Sequence, residues 1–462
     1  MTDCNFKQAE FQGVGHRQVV AAFDGGNVTS DAGGLLLREA AKGSKILDRF
    51  AACFTDFRNP KLIEYPVRDL VAQRVIGLCL GYEDLNDHEN LRNDPLFCTL
   101  VDRMNRDGSA QLAGKSTLNR LELTAGIVRE DERYKKVAYD KRAIDRLFVD
   151  IFLQAQNRAP KEIWLDLDAT DDPIHGEQEG KHFHAYYDEY CYLPLYIFSE
   201  GFLLSSRLRT SDCDPLEGAI DDIARIVEQI RACHPRTRII VRGDSGFCRD
   251  DLMHWCEENG VDYLLGLPKN ARLEAILASD MEKSRRRFLR TKQASRTFRS
   301  FGYQTRKTWS KKRRVIGKAE FMAAGENPRF VVTTIRGTER DARSVYEDLY
   351  CARGEMENRI KEQQIGLFAD RTSTHRMRSN QLRLYFSSIA YALMHEVRRI
   401  GLKKTDFANA QCWTIRERLF KIGAVVIVSF RRVRLALSSG YPWRETFLDC
   451  LKNLRSHYAL VT

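Results

Sequence analysis

The chain has 462 residues, which is too long for a single compact core, so two or three domains are expected. Its 74 Lys and Arg against 63 Asp and Glu leave a net charge of +11, which favours an acidic partner, either nucleic acid or an anionic membrane surface. A membrane-spanning protein is not expected. The most apolar runs, Leu384 to Met394 and Ile422 to Phe430, are shorter than the roughly 20 residues that cross a bilayer.

The cysteine pattern and the amino terminus further restrict the class of protein. The 12 cysteines are scattered and no pair has C-x-x-C spacing, so a cysteine-based zinc site is not expected. The amino terminus, MTDCNFKQAEFQG, contains Asp3 and no apolar stretch, so it does not predict a secretory signal peptide. These observations favour a cytoplasmic protein.

The first segment, to about residue 150, is predicted to be mostly helical. From Pro66 to Leu80 apolar residues recur with helical spacing, and Gly81 is expected to end that helix. Ala113 to Glu122 resembles the start of a helix capped by Ser or Thr, with basic residues near its beginning. The sequence fits a DNA-binding helix-turn-helix and an ordinary surface helix equally well at this point.

Strand patterns begin near Ile163. EIWLDLDA alternates apolar and acidic residues, as a half-buried strand does. The elements predicted after it are strands at Tyr192 to Ser199 and Phe202 to Arg209, a helix at Asp214 to Cys233, a strand at RIIVRGD, a helix at Arg249 to Asn259 and a strand at DYLLGLP. The order βββαβαβ indicates an α/β domain.

A strongly basic segment comes next. Residues 283–318 hold fifteen Lys and Arg and no Asp or Glu, with five aromatic residues interleaved. The cations suit phosphate contacts, and the aromatic side chains either stack on bases or pack a core from alternate strand positions. A strand at NPRFVVTTI and a helix from roughly Glu339 to Gln364 follow. The rest, from about Asn380 and including SFRRVRLAL, is predicted to be helical and basic.

Three acids stand where this architecture would bring acids together. Asp168 ends the first strand, Asp244 ends a later strand, and Glu357 lies in the long helix. Strands that end at one edge of a sheet deliver side chains to a common crevice, and a helix packed alongside can supply a third group. Asp166 points to the same side of its strand as Asp168, so alternation alone does not choose between these two.

Three carboxylates at one point repel one another unless a cation compensates their charge. Mg²⁺ prefers oxygen ligands, and two such ions can clamp the attacking and leaving oxygens of a phosphodiester displacement. The nearby Asp171 and Asp172 are expected in a solvated turn before Pro173. His182 and His184 have no third ligand of suitable spacing nearby, so a polar loop is favoured over a zinc site.

The long helix carries one unusual face. Five residues spaced by three or four share it, namely Tyr346, Tyr350, Arg353, Glu357 and Lys361. Taken alone, such a pattern is more often a solvated face of ion pairs. Together with the two aspartates, an acid flanked by cations and a phenol favours a site for a scissile phosphate.

Five stretches of the chain occur in a characteristic order. They are RVIGLCLGYEDLNDHENLRNDP, LDLDATDDPIHGEQEG, VRGDSGF, YCARGEMENRIKE and NQLRLYFSSIAYAL. Together they resemble the DDE transposases of bacterial insertion sequences, most closely the insertion-sequence 1380 family, and the resemblance covers nearly the whole chain. It implies an α/β fold, with a ribonuclease-H-like catalytic core and a mostly β insertion, flanked by helical N- and C-terminal regions.

The resemblance also implies domain limits. They are 1–150 for a helical DNA-binding region, 160–270 and 336–380 for the catalytic core, 271–335 for the basic, mostly β insertion, and 381–462 for a helical basic region.

By the same resemblance, Asp168, Asp244 and Glu357 are the catalytic residues and metal ligands. They would hold Mg²⁺, which Mn²⁺ can replace, as two ions. The signature Tyr-x2-Arg-x3-Glu is matched, but its lysine seven residues after the glutamate is replaced by Gln364, with Lys361 one turn earlier as a substitute. The residues expected to contact DNA are Tyr350, Arg353, Lys361, Arg285, Arg286, Arg287, Lys311, Lys312, Arg313 and Arg314.

The resemblance implies a transposase that binds terminal inverted repeats, cuts a strand and joins the freed 3′-hydroxyl to target DNA. Double-stranded DNA is the expected partner, and two protomers are expected to act on it in the cytoplasm, at the nucleoid. The alternatives are an inactive DNA-binding regulator and a metal-dependent nuclease that never transfers strands.

Overall fold

A computed structural model of the chain describes residues 8–104, 111–124 and 136–460. The chain divides into two compact units. The first consists of Met1–Tyr139, Gly366–Phe368 and Ile389–Thr462, and the second of Asp140–Ile365 and Ala369–Ser388. Within the described ranges, no helix combines the length and the apolar character that a membrane span needs.

The amino-terminal part of the first unit mixes short strands with helices. Its elements are β1 (Gln8–Val14), β2 (Arg17–Ala22), β3 (Val28–Thr29), α1 (Leu35–Ser44), α2 (Ile46–Ala51), β4 (Phe54–Asp56), α3 (Val67–Leu80), α4 (His88–Leu91), α5 (Pro95–Leu100), α6 (Lys115–Glu122) and β5 (Val137–Tyr139). β1 pairs with β2, and β4 with β5, both antiparallel. The segment is therefore less purely helical than the sequence predicts.

Both helices predicted here are confirmed. α3 ends at Gly81, whose φ of 96° is in the left-handed region that glycine tolerates. α6 begins after Gly114, and no Ser or Thr side chain caps it. Residues 105–110 and 125–135, on either side of α6, lie outside the described residues, so the helix-turn-helix stays a prediction.

The second unit carries most of the strands. Its elements are α7 (Lys141–Ala155), β6 (Glu162–Ala169), β7 (Asp172–Pro173), β8 (His182–His184), β9 (Glu189–Tyr192), β10 (Leu195–Ser199), β11 (Phe202–Arg207), α8 (Ala219–Cys233), β12 (Arg238–Gly243), α9 (Asp250–Glu258), β13 (Asp262–Leu267), α10 (Ala271–Thr291), β14 (Ser295–Tyr303), β15 (Arg313–Met322), β16 (Gly325–Glu326), β17 (Arg329–Thr333), α11 (Ala342–Ser344) and α12 (Gly354–Lys361). α13 (Met377–Glu396) begins in this unit and ends in the first.

These strands form one large mixed sheet and one small sheet. The large sheet has nine strands in the order β11-β10-β6-β12-β13-β17-β15-β14, with β16 beside β15. β6, β12 and β13 are parallel neighbours, and the other neighbours are antiparallel. β7, β9 and β8 form the small sheet. The predicted order βββαβαβ is confirmed for the large sheet and its helices, as β6, β10, β11, α8, β12, α9 and β13, whereas the three short strands of the small sheet were not predicted.

The basic segment differs from its prediction in one respect. Residues 271–291 form a helix, α10, which Asn270 caps by accepting a hydrogen bond from the Leu273 amide at 3.1 Å. Leu273, Leu277, Met281 and Ser284 are buried along one face of this helix. The strands that follow extend the large sheet, and their aromatic side chains mostly pack rather than protrude, so the core-packing alternative is the one observed.

The predicted long helix is an irregular helical segment. α11 is followed by a π-helical turn at Val345–Tyr350, a 3₁₀ turn at Cys351–Arg353, α12, and a second π-helical turn at Glu362–Gly366. Val345 and Tyr346 pack on Leu264, Ile316 and Val331 of the large sheet. Such turns often occur at functional positions, because they redirect side chains relative to a regular helix.

The chain ends in the first unit with α14 (Cys412–Ile415), β18 (Ala424–Ser429), β19 (Arg432–Leu437) and α15 (Arg444–Ala459). The prediction that SFRRVRLAL is helical is wrong. β18 and β19 form an antiparallel hairpin beside β3. The reason is a period of two along β18, where Ala424 and Val426 are buried while Val425 and Ile427 are exposed.

Candidate active site

Two neighbouring parallel strands bring Asp168 and Asp244 together. β6 and β12 pair in a register that sets Leu167 opposite Gly243. The next position on each strand is an aspartate, so the two carboxylates stand side by side at the same edge of the sheet, where parallel strands are roughly 4.8 Å apart. Asp244 also caps the turn that follows, because its carboxylate accepts a hydrogen bond from the Gly246 amide at 2.8 Å.

The irregular helical segment supplies the remaining polar groups. Arg353, Glu357, Lys361 and Gln364 line a cavity of about 420 Å³ together with the two aspartates. The three acids predicted from the sequence therefore face one cavity, although they come from segments far apart in the chain.

Burial shapes the electrostatics of Asp168, whose side chain is only 15% exposed. Desolvation raises the pKa of Asp168 to about 6, the Arg353 guanidinium opposes this rise, and the negative charges of Asp244 and Glu357 add to it. The site therefore brings several negative charges together where burial already makes the ionised form of Asp168 unfavourable.

Arg353 stands between two of the acids. Its Nη1 lies 3.5 Å from Asp168 Oδ1, and its Nη2 lies 3.0 Å from Glu357 Oε1. Among the described residues, no group of three His, Cys, Asp or Glu side chains comes close enough together to hold a metal ion in this arrangement. The donors are nevertheless oxygen atoms, which Mg²⁺ prefers, and their mutual repulsion suits a divalent cation.

The structure separates Asp166 from Asp168. Arg242, on the neighbouring strand, binds both carboxylate oxygens of Asp166, at 2.5 and 2.8 Å. The same guanidinium lies over the Trp164 ring and donates to the Leu349 carbonyl oxygen. The charge of Asp166 is thus neutralised by Arg242 rather than directed into the cavity. Because Arg242 also binds Leu349, it links the two strands to the helical segment. Sequence reasoning missed this role, which depends on the register between the strands.

The side chain of Tyr350 lies close to the sheet at a glycine, Gly266. A Cβ atom at Gly266 would lie 2.6 Å from the Tyr350 hydroxyl and 2.9 Å from the Ser245 backbone nitrogen. Burial raises the pKa of Tyr350, and the nearby Arg353 lowers it. Gly266 therefore permits the close approach of the phenol to the turn after Asp244.

Gln364 occupies the position of the missing signature lysine. Gln364 lines the cavity and donates from Nε2 to the Asp171 carbonyl oxygen at 2.9 Å. Lys361, one turn earlier, is exposed and lines the same cavity.

The predicted basic contacts differ in accessibility. Arg285, Arg286, Arg287, Lys311 and Lys312 are exposed. Arg286 is 2.8 Å from Glu282, and Lys311 is 3.0 Å from Glu257. Arg314 is half-buried and donates to the backbone carbonyls of Ile335 and Arg340.

Arg313 is the exception among these residues. Its side chain is 2% exposed and binds Asp250 and Glu257. Because its guanidinium group is buried and paired with these two carboxylates, it is not accessible to a phosphate.

The prediction of a solvated Asp172 is wrong. This residue is buried in β7 and accepts a hydrogen bond from Thr372 at 3.0 Å. Burial is the main cause that raises the pKa of Asp172 to about 8. A turn preceding proline is usually solvated, but Asp172 is part of strand β7, which pairs with β9 in the small sheet.

Three side chains of the hairpin formed by β8 and β9 line the cavity without having been predicted to do so. They are His184, Tyr186 and Tyr187. The run of aromatic residues in HFHAYYDEY between two strands was the available signal.

A comparison with curated proteins found no match. A family model described as Transposase DDE domain group 1 matches residues 11–459, which is nearly the whole chain. Because this model covers more than nine-tenths of the sequence, the chain belongs to the transposase DDE domain group 1 family.

Proposed function

We propose that this chain is the transposase of an insertion sequence, most similar to the insertion-sequence 1380 family. It binds terminal inverted repeats, cleaves a strand and joins the new 3′-hydroxyl to target DNA. The convergence of Asp168, Asp244 and Glu357 on one cavity of a basic chain carries this proposal. The parallel pair of β6 and β12, each delivering one acid, supports a ribonuclease-H-like core.

In this proposal Asp168, Asp244 and Glu357 hold two divalent cations, Mg²⁺ or Mn²⁺, as the resemblance to the family implies. Bound there, the ions supply charge stabilisation to the phosphoryl group in transfer. Arg353 keeps the acids partly neutralised and lies where a scissile phosphate would approach. Lys361 offers an exposed ammonium at the cavity for a neighbouring phosphate.

Phosphate contacts outside the cavity would come from the exposed cations of the basic segment. Arg285, Arg286 and Arg287 lie on α10, and Lys311 and Lys312 precede β15. Joining two ends of an element requires at least two active sites, so we propose a dimer on DNA.

The direct test substitutes the acids singly, as Asp168→Asn, Asp244→Asn and Glu357→Gln. Each variant should keep DNA binding and lose Mg²⁺-dependent cutting of the element's ends. Glu355→Gln is the matched control, because Glu355 is exposed on the same helix but does not line the cavity. Cutting by all three variants at the wild-type rate would refute the assignment.

Strand transfer needs a separate assay. Incubation of pre-cut ends with a supercoiled plasmid should give joined products. Cutting without joining would instead identify a metal-dependent nuclease, and binding without either reaction would identify a DNA-binding regulator.

The DNA contacts are tested through salt dependence. Substituting Arg285, Arg286 and Arg287 together with Ala should reduce the slope of log affinity against log salt by up to about 3, since each phosphate contact contributes roughly 0.9. An unchanged slope would place the contact surface elsewhere.

A further inference from the structure

The hairpin of β8 and β9 exposes aromatic side chains beside the candidate active site. Tyr186 at its tip is 84% exposed, and Phe183 and Tyr190 on its strands are about half exposed. Large apolar groups clustered on a surface usually mark a site of interaction, because leaving them in water is unfavourable.

The rings are held in defined positions. Phe183 and Tyr190 are opposite each other across the hairpin, with their centroids 5.5 Å apart in an edge-to-face arrangement. Tyr186 lies edge-to-face against Tyr187 at 5.0 Å. Lys181 Nζ is 4.8 Å from the centre of the Tyr190 ring. The hairpin therefore presents preorganised ring faces.

The hairpin is continuous with the cavity of the three acids. Tyr186 and Tyr187 line that cavity together with Asp168. Burial, together with the charges of Asp171 and Asp168, raises the pKa of Tyr187 to about 12, which agrees with its place beside the acids. A ligand whose phosphate entered the cavity would bring its neighbouring groups to the hairpin.

The charge of the hairpin indicates which part of a nucleic acid would touch it. Between positions 181 and 190 the charged residues are Lys181, Asp188 and Glu189, so there is no excess of positive charge to hold phosphates. Aromatic faces bind bases by stacking, with little preference for sequence. In an intact duplex the faces of the bases are covered by neighbouring pairs. Only a terminal or unpaired base is therefore open to such contact.

We propose that the β8–β9 hairpin stacks, through Tyr186 and its neighbouring rings, on unpaired nucleobases of a DNA end whose phosphate occupies the adjacent cavity. This inference rests on the proposed function and adds the recognition of an opened DNA end to it. The hairpin would hold the end between cleavage and joining, while the basic surface holds the duplex.

The test compares two fluorescent DNA probes on the full-length protein. One is a 30-base-pair blunt duplex, and the other is the same duplex with a four-nucleotide single-stranded tail that contains 2-aminopurine. Ca²⁺ replaces Mg²⁺, so that binding is measured without cutting. Stacking should quench 2-aminopurine fluorescence when the wild-type protein binds the tailed probe. Tyr186→Ala should abolish the quenching and weaken binding of the tailed probe by roughly 5- to 150-fold, the range for one base–aromatic stack.

Two control variants make the result specific. Tyr186→Phe keeps the ring and should keep both quenching and affinity. Phe57→Ala removes a ring that is 53% exposed in the first unit and should change neither. Binding of the blunt duplex should be the same for all these proteins.

Several outcomes would overturn the inference. Tailed DNA that binds without quenching would exclude stacking, and so would an equal loss of blunt and tailed binding in Tyr186→Ala. A shift from dimer to monomer caused by Tyr186→Ala in the absence of DNA would assign the hairpin to a protein interface instead. If neither probe bound the wild-type protein, the proposed function itself would fail, which distinguishes that case from failure of the hairpin alone.

Discussion

Asp168 should destabilise the metal-free protein at neutral pH, so that Asp168→Asn is more stable than the wild type. Its carboxyl is mostly buried, and its pKa is raised to about 6 from an ordinary value of 3.8. At low pH the carboxyl is protonated in both folded and unfolded chains. As the pH rises through about 4 the unfolded chain releases its proton, while the folded chain keeps it until about pH 6.

Stability is therefore lost between about pH 4 and pH 6, and the full cost is present above that range. A difference of about two pH units corresponds to roughly 3 kcal/mol, at about 1.4 kcal/mol for each unit. For a unit of this size, 1 kcal/mol moves the midpoint of thermal unfolding by about 2–4 °C, which predicts a gain of about 6–12 °C for the variant at pH 7.5.

Thermal unfolding in EDTA at pH 4 and pH 7.5, followed by circular dichroism, measures this difference. The gain should be large at pH 7.5 and small at pH 4. Asp166→Asn is the matched control, two residues earlier on the same strand, and should destabilise the protein because it breaks the pair with Arg242. A variant Asp168→Asn that melts below the wild type at pH 7.5, or gains equally at both pH values, would refute the reasoning.

Three further predictions concern residues around the site. Arg242→Met should destabilise the protein by about 3–5 kcal/mol in urea unfolding, because it leaves a buried carboxylate without its partner; a loss below about 1 kcal/mol would contradict this. Gly266→Ala should cost roughly 1–3 kcal/mol in the same assay, since the added methyl meets the Tyr350 hydroxyl and backbone; wild-type stability would show that the turn relaxes freely. Lys361→Ala should slow strand cleavage, and adding Gln364→Lys should restore part of the rate; no recovery would argue against equivalent roles at these two positions.

The glutamine at the position of the signature lysine shows which side-chain roles a sequence motif can predict and which it cannot. Both Lys361 and Gln364 line the cavity, so the helical spacing places the proposed substitute, Lys361, beside the position of the signature lysine. Their roles differ through contacts that no local pattern contains. Gln364 binds the backbone of the loop after β6, whereas Lys361 is exposed.

Local periodicity was sufficient to predict the sheet's central strands and to place acids at their ends, but not to choose between Asp166 and Asp168. In EIWLDLDA, alternation with period two predicts both the strand and the side of it that carries Asp166 and Asp168. In the basic segment, the same kind of reasoning did not predict the helix α10. A run of cations follows the buried residues of this helix and obscures their helical spacing.

The amino-acid sequence by itself determined that acidic side chains end two strands and occupy one helical face, since these features depend on neighbours within a few positions. Only the tertiary structure decided which charges are neutralised. Asp166 and Arg313 are bound by oppositely charged side chains from other elements, whereas Asp168 faces the cavity. The physical reason is that the partner of a buried charge comes from strand register and helix packing, which bring together residues that are remote along the chain.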